Sequence, residues 1–397
     1  MIKKLFLMLV ITMITVPVIA QDEVFVRFDV DEITGNSLIG TALSPDGTKI
    51  VGAGNDELCI VDLGAAASEC VPFPEDTRLS SANYFAWSPD NTKVVFHAEF
   101  FRFLHEPDLW QYDLETQTFT ILTPDDVDDV LQGRQEALLD VFPIYNPVDE
   151  MLYFTRIQET APGRLVTVQR ITSEGDLEQV AILPADFFFG FVPTGHPVFS
   201  PDSTQMAISI NDRGDIEEQR GVWIITLADG SLEQITLPDS FPGVPSDITD
   251  DLMRPTELLW HRDDTLMLTV LDSASFNTLY YELMLDGTLI PLFDLSAMNT
   301  GELFSAAEPV TELSYSEVLP RDAVVSADGT RLYYAVSSND EAEISVLSLS
   351  LPPNESSLQI EITERLNIFP GQQDFLRQAA TNGLGIIWQN YVIAIGE

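Results

Sequence analysis

Leu43-Ser44-Pro45-Asp46-Gly47-Thr48-Lys49-Ile50-Val51 is the stretch on which the fold turns. It returns as Trp87-Ser88-Pro89-Asp90-Asn91-Thr92-Lys93-Val94-Val95 and as Phe199-Ser200-Pro201-Asp202-Ser203-Thr204-Gln205-Met206-Ala207. Weaker copies open at Tyr145-Asn146-Pro147, Trp260-His261-Arg262-Asp263-Asp264-Thr265 and Val325-Ser326-Ala327-Asp328-Gly329-Thr330, and a faint one at Ala379-Ala380-Thr381-Asn382-Gly383. The column before the serine-type anchor holds Leu43, Trp87, Tyr145, Phe199, Trp260, Val325 and Ala379. Six residues after the anchor stand Ile50, Val94, Leu152, Met206, Met267, Leu332 and Ile386. Apolar columns flank a Pro-, Asp-, Gly- and Asn-rich centre, so each copy reads as strand, tight turn, strand.

The anchors at 44, 88, 146, 200, 261, 326 and 380 are spaced 44 to 65 residues apart, room for four short strands plus loops. Further hairpin turns are marked by Asp229-Gly230, Asp286-Gly287 and Glu174-Gly175-Asp176. A twisted sheet cannot bury both faces alone, and a ring of such sheets can. The expectation is an all-β fold, a single β-propeller of four-stranded blades. Seven blades are expected, or six if the faint last copy is accidental. Val24-Phe25-Val26-Arg27-Phe28-Asp29-Val30 alternates like a strand and has no blade of its own. It is expected to pair with the last blade and clasp the ring.

The motif Ser44-Pro45-Asp46-Gly47-Thr48-Lys49-Ile50 resembles the WD40-like (PD40) repeat of the TolB-type propellers, over most of residues 40–395. The resemblance implies a protein- or ligand-binding scaffold outside the cytoplasm; fold alone does not fix function. Two features depart from it. TolB-type proteins typically carry an α/β domain ahead of the propeller, whereas here repeats begin soon after the N-terminal segment. Peptidases with similar propellers carry an α/β-hydrolase domain, and this sequence has no Gly-x-Ser-x-Gly elbow.

Residues 1–20 have a basic start at Lys3 and Lys4, an apolar run, and a small-residue site at Val18-Ile19-Ala20. This pattern predicts a signal peptide at 1–20, a propeller domain over 21–397 and an extracytoplasmic location, periplasmic or secreted. No second run of membrane-spanning length follows. The chain carries 19 Lys+Arg against 63 Asp+Glu, a formal charge of −44. That balance argues against nucleic acid and anionic membranes as partners. The hydrophobic fraction of 45% argues against a disordered acidic chain.

The cysteines are Cys59 and Cys70. A two-residue turn at Gly64-Ala65 would place them opposite each other in a hairpin and allow a disulfide. A longer loop would shift that register and leave two buried thiols. Two cysteines alone do not supply the three or four ligands zinc takes.

Long insertions are expected at 98–108, 123–140, 184–196, 211–220, 236–255 and 293–320, nearly all at the end opposite the repeat turns. Loops elaborated on a rigid scaffold are where binding concentrates. These carry Asp125, Asp126, Asp128 and Asp129, then Asp212 and Asp215, then Asp250 and Asp251, with aromatic runs around Phe101 and Phe188. Such carboxylates repel one another unless a cation or basic partner neutralises them. They are candidate binding residues for a protein or peptide; calcium is the ion they would suit. His97 and His105 are read as flanking one loop, with Glu99, Glu106 and Asp108 near, an arrangement considered for a metal. No catalytic motif stands out. The expected function is an exported, non-catalytic propeller binding a protein, peptide or envelope component. The alternative is a calcium-assisted hydrolase or lyase on sugars or lactones, working through carboxylates at the channel mouth.

Overall fold

The computed structural model describes residues 24–29, 33–35, 38–54, 57–74, 77–78, 85–100, 107–124, 138–160, 163–184, 196–210, 221–237, 241, 253–262, 264–272, 278–291, 324–325, 331–337, 344–350, 360–366, 385–388 and 391–396. Strands dominate, beginning with β1 (Val24–Asp29). A first sheet holds β2 (Ile39–Leu43), β3 (Lys49–Ala53), β4 (Glu57–Asp62) and β5 (Ala67–Pro72) in that order. The second holds β6 (Thr77–Arg78), β7 (Ala86–Trp87), β8 (Lys93–Phe100), β9 (Pro107–Asp113) and β10 (Thr118–Ile121), with β6 and β7 both pairing β8. The third is β11 (Leu138–Tyr145), β12 (Leu152–Thr160), β13 (Gly163–Ile171) and β14 (Leu177–Leu183). The fourth is β15 (Val198–Phe199), β16 (Gln205–Ile210), β17 (Gly221–Thr226) and β18 (Leu232–Ile235). The fifth is β19 (Met253–Arg262), β20 (Thr265–Asp272), β21 (Thr278–Met284) and β22 (Leu289–Pro291). The sixth is β23 (Val324–Val325), β24 (Arg331–Ser337), β25 (Ile344–Ser350) and β26 (Ile360–Leu366). In the remaining sheet β27 (Gly385–Trp388) pairs β28 (Tyr391–Gly396), and β1 pairs the other edge of β28 from Val24↔Gly396 to Asp29↔Tyr391. This is an all-β fold with several four-stranded antiparallel sheets, consistent with a propeller.

The core is divided among the spaces between neighbouring sheets. In β16, Met206, Ile208 and Ile210 face the third sheet, while Ala207 joins Val222, Ile224, Trp260 and Leu268 on the side of the fifth. Adjacent residues of one strand thus enter two cores, which is why Gln205–Ile210 reads as a nearly unbroken apolar run. Val51 and Leu58 meet Val94, Phe96 and Tyr112 between the first two sheets. Phe154 and Leu152 meet Val95 and Leu109 between the second and third.

The repeat motif owes its residues to one turn made three times. The anchor serine hydroxyl donates to the aspartate two residues on: Ser44 to Asp46 and Ser88 to Asp90 at 2.6 Å, Ser200 to Asp202 at 2.7 Å. The same carboxylate accepts from the backbone and hydroxyl of Thr48, Thr92 or Thr204. The residue after the threonine returns its N–H to the anchor hydroxyl. Gly47, Asn91 and Ser203 occupy one turn position with φ of 66°, 62° and 57°, the left-handed region that glycine and asparagine tolerate best. Neighbouring turns are tied together. Asp46 N–H donates to Asn91 Oδ1 at 3.2 Å, and Asn146 Nδ2 to the Ser203 carbonyl at 3.0 Å.

Cys59 and Cys70 stand directly opposite on β4 and β5 and are joined by a disulfide. The turn between the strands takes four residues rather than two, from Leu63 to Ala66. It is centred on Gly64 and Ala65, so the register is the same.

Candidate functional site

The acidic and aromatic loop residues singled out above, Asp125, Asp126, Asp128, Asp129, Asp212, Asp215, Asp250, Asp251, Phe101 and Phe188, lie outside the described residues. So does His105, and of His261 only the backbone is described. The strand ends that carry several of these loops are described. The expected insertion 98–108 is shorter, because Ala98↔Asp108 and Glu99↔Pro107 extend the β8–β9 pairing. Likewise β11 takes in residues 138–140 and β19 begins at Met253, so strand replaces the inner ends of two more insertions.

At this end of the second to fourth sheets the structure assembles polar groups from several strands. Asp140 on β11 and Arg156 on β12 face each other across the ladder. Arg156 donates from Nε and one terminal nitrogen to the two Asp140 oxygens, both at 2.7 Å. Asp140 is buried and Arg156 nearly so, at 2% and 14% side-chain exposure. Burial pushes the Asp140 pKa above the ordinary carboxylate value, against the pull of Arg156 and of the Thr123 hydroxyl. That hydroxyl also accepts from the Leu109 N–H at 2.9 Å and so ties the second sheet to the third. The Arg156 guanidinium lies 5.6 Å from the centre of the Phe154 ring.

Beside this pair, β11 bulges between Val141 and Ile144, and Phe142 takes φ of 57°. A left-handed conformation is costly for a bulky residue, of order 1–3 kcal/mol. It holds the Phe142 ring edge-on to His196, centroids 5.1 Å apart. His97 sits inside β8 opposite Leu109. Its imidazole is buried, and its pKa falls to about 4, first from desolvation and then from His196. Both oxygens of Asp140 are engaged by Arg156.

Sequence reading missed the Asp140–Arg156 pair and the approach of His97 to His196. One signal was available: Asp140 interrupts the apolar run Leu138–Tyr145, and a charge inside such a run demands a partner. Nothing in spacing links His97 to His196, which lie 99 positions apart, one in β8 and the other ahead of β15.

No family model and no curated protein matches the chain. Among solved structures it is similar to a TolB protein from Agrobacterium tumefaciens, at 14% identity over 68% of this chain and 88% of that one, TM-score 0.43. A functionally unknown protein from Desulfotomaculum acetoxidans matches at 13% identity over 84% of this chain and 90% of that one, TM-score 0.43. Prolyl oligopeptidase B from Galerina marginata matches at 10% identity and TM-score 0.48, over 88% of this chain and 45% of the peptidase. The chain thus spans less than half the length of that peptidase. No helix among the described residues is long and apolar enough to cross a membrane.

Proposed function

We propose that the chain is an extracytoplasmic, non-catalytic propeller of seven blades, clasped by β1 on β28, that binds a protein or peptide through its loop end. The observation that carries this reading is the asymmetry between the two ends of the sheets. At one end, among the described residues, three short turns are locked by Ser–Asp–Thr networks. At the other, the segments between strands are long and their sequence is rich in carboxylates and phenylalanines, the composition of a binding loop on a rigid frame. Asp125, Asp126, Asp128, Asp129, Asp212, Asp215, Asp250 and Asp251 supply charge for a basic partner; Phe101 and Phe188 supply apolar contact.

The test is binding of basic, aromatic-containing peptides to residues 21–397, compared with a variant in which the eight aspartates become asparagine. The expected result is an affinity that falls about tenfold or more in the variant and weakens with salt. Equal affinity for both proteins overturns the reading. Turnover of a glycan or lactone by the parent, lost in the variant, replaces it with the hydrolase or lyase alternative.

A further inference from the structure

Glu57, Cys59 and Cys70 offer three ligand atoms, one carboxylate oxygen and two sulfurs, all within 4.8 Å of one another. Glu57 and Cys59 are two residues apart on β4 and so point to the same face, and Cys70 stands opposite Cys59 on β5. Leu58, Ile60 and Val71 pack toward the second sheet, so this trio occupies the opposite face of the first sheet. Cys59 is fully buried, while Cys70 and Glu57 are half-buried.

We propose that reduction of the Cys59–Cys70 disulfide converts this trio into a binding site for a thiophilic divalent cation of the zinc and cadmium class. The reductant is a dithiol: two of its S–H groups become a disulfide as Cys59 and Cys70 each gain a hydrogen. The metal then displaces both thiol protons, and Cys59, Cys70 and Glu57 become three ligands, with water as the fourth. The ladder makes this feasible. Tetrahedral Zn–S bonds of about 2.3 Å place two sulfurs about 3.8 Å apart. The Cα atoms of the two facing residues lie 4.0 Å apart, within reach of that separation. Five further residue pairs, from Glu57↔Pro72 to Asp62↔Ala67, hold the strands when the covalent link is gone. A thiolate pair with one carboxylate favours soft and borderline ions over calcium or magnesium.

The experiment uses residues 21–397 reduced with a phosphine, freed of reductant without air, and titrated with cadmium. The expected result is a thiolate-to-cadmium absorption band that saturates at one equivalent, with release of two protons. The oxidised protein gives no band. Glu57→Gln keeps the band and weakens cadmium about tenfold or more, and Cys70→Ser loses the tight site. A reduced chain that melts cooperatively but gives no band overturns the proposal. Loss of the cooperative melt on reduction also overturns it, because the site depends on the ladder surviving. Equal affinity in Glu57→Gln removes the carboxylate from the ligand set and overturns the three-ligand site.

Discussion

Arg156 closes on Asp140 through two parallel hydrogen bonds of 2.7 Å, joining neighbouring strands of the third sheet where Thr123 arrives from the second. Removing one partner strands a buried charge. Arg156→Met is expected to destabilise the chain by about 3–5 kcal/mol in urea unfolding. Replacing both, as Asp140→Leu with Arg156→Met, is expected to recover most of that loss, since apolar pairs often substitute for buried ion pairs. A double variant no more stable than Arg156→Met would show that the pair contributes through geometry that no apolar substitute reproduces.

His97 should impose a pH dependence of its own. Its folded pKa of about 4 lies below the ordinary 6.5, from burial and then from His196. The unfolded chain therefore takes the proton first. Stability is complete above pH 6.5, declines as pH falls to about 4, and changes no further below that on account of this group. The full effect is about 3 kcal/mol. His97→Gln should flatten this part of the curve of unfolding free energy against pH; an unchanged slope would assign it to other groups.

The repeat turns titrate in a lower window. Ser88 and the Thr92 groups hold Asp90 below its ordinary pKa. For Asp46, burial opposes ionisation, but Ser44 and Thr48 outweigh it. Their contribution is present above pH ~4 and is lost as pH falls through the folded values. Asp90→Ala should cost about 1 kcal/mol at pH ~7 and less at pH ~3, as the parent aspartate begins to take up its proton. Denaturation at the two pH values checks this.

Gly230, with φ of 70°, ends the β17–β18 turn against the third sheet, where an added methyl would land on the Val180 carbonyl oxygen. Gly175, with φ of 88°, has open space around the same position. Gly175→Ala should cost only the left-handed penalty, about 1 kcal/mol. Gly230→Ala should cost clearly more, because backbone must move. Equal melting points for the two variants would contradict this packing.

The loop end should respond to ions as a solvated acidic surface. Melting points of residues 21–397 are expected to rise equally in calcium and in sodium chloride of matched ionic strength, with no change on adding EDTA. A rise specific to calcium would place an ion among the loop carboxylates instead.

What was legible in the sequence was whatever repeats. The Ser–Asp–Thr turn depends on residues within five positions, so its chemistry is local and recurs as a visible motif. The strands flanking it follow from the apolar columns. The terminal strand of 24–29 was legible from its alternation, and its partner from the two-strand remainder near 385–396. The polar cluster at the loop end was not. Arg156 meets Asp140 because a long hairpin sets them opposite, and His97 feels His196, 99 positions away, only through the tertiary fold. The loop ends failed for a related reason. Pairing between Glu99 and Pro107 continues beyond where composition reads as strand, since a partner strand can extend a ladder through polar residues.

The pairing of β1 with β28 has a consequence for how the chain is made. Val24 and Gly396 are partners although 371 residues separate them. Closing so long a loop costs conformational entropy that local hairpins do not, so this ladder should be the slowest to form. Until Tyr391–Gly396 emerges, Val24–Asp29 has no partner and exposes an alternating apolar edge. The interval between synthesis of the two strands is therefore when the protein is most open to mispairing with another copy of itself, and when a holding factor would act.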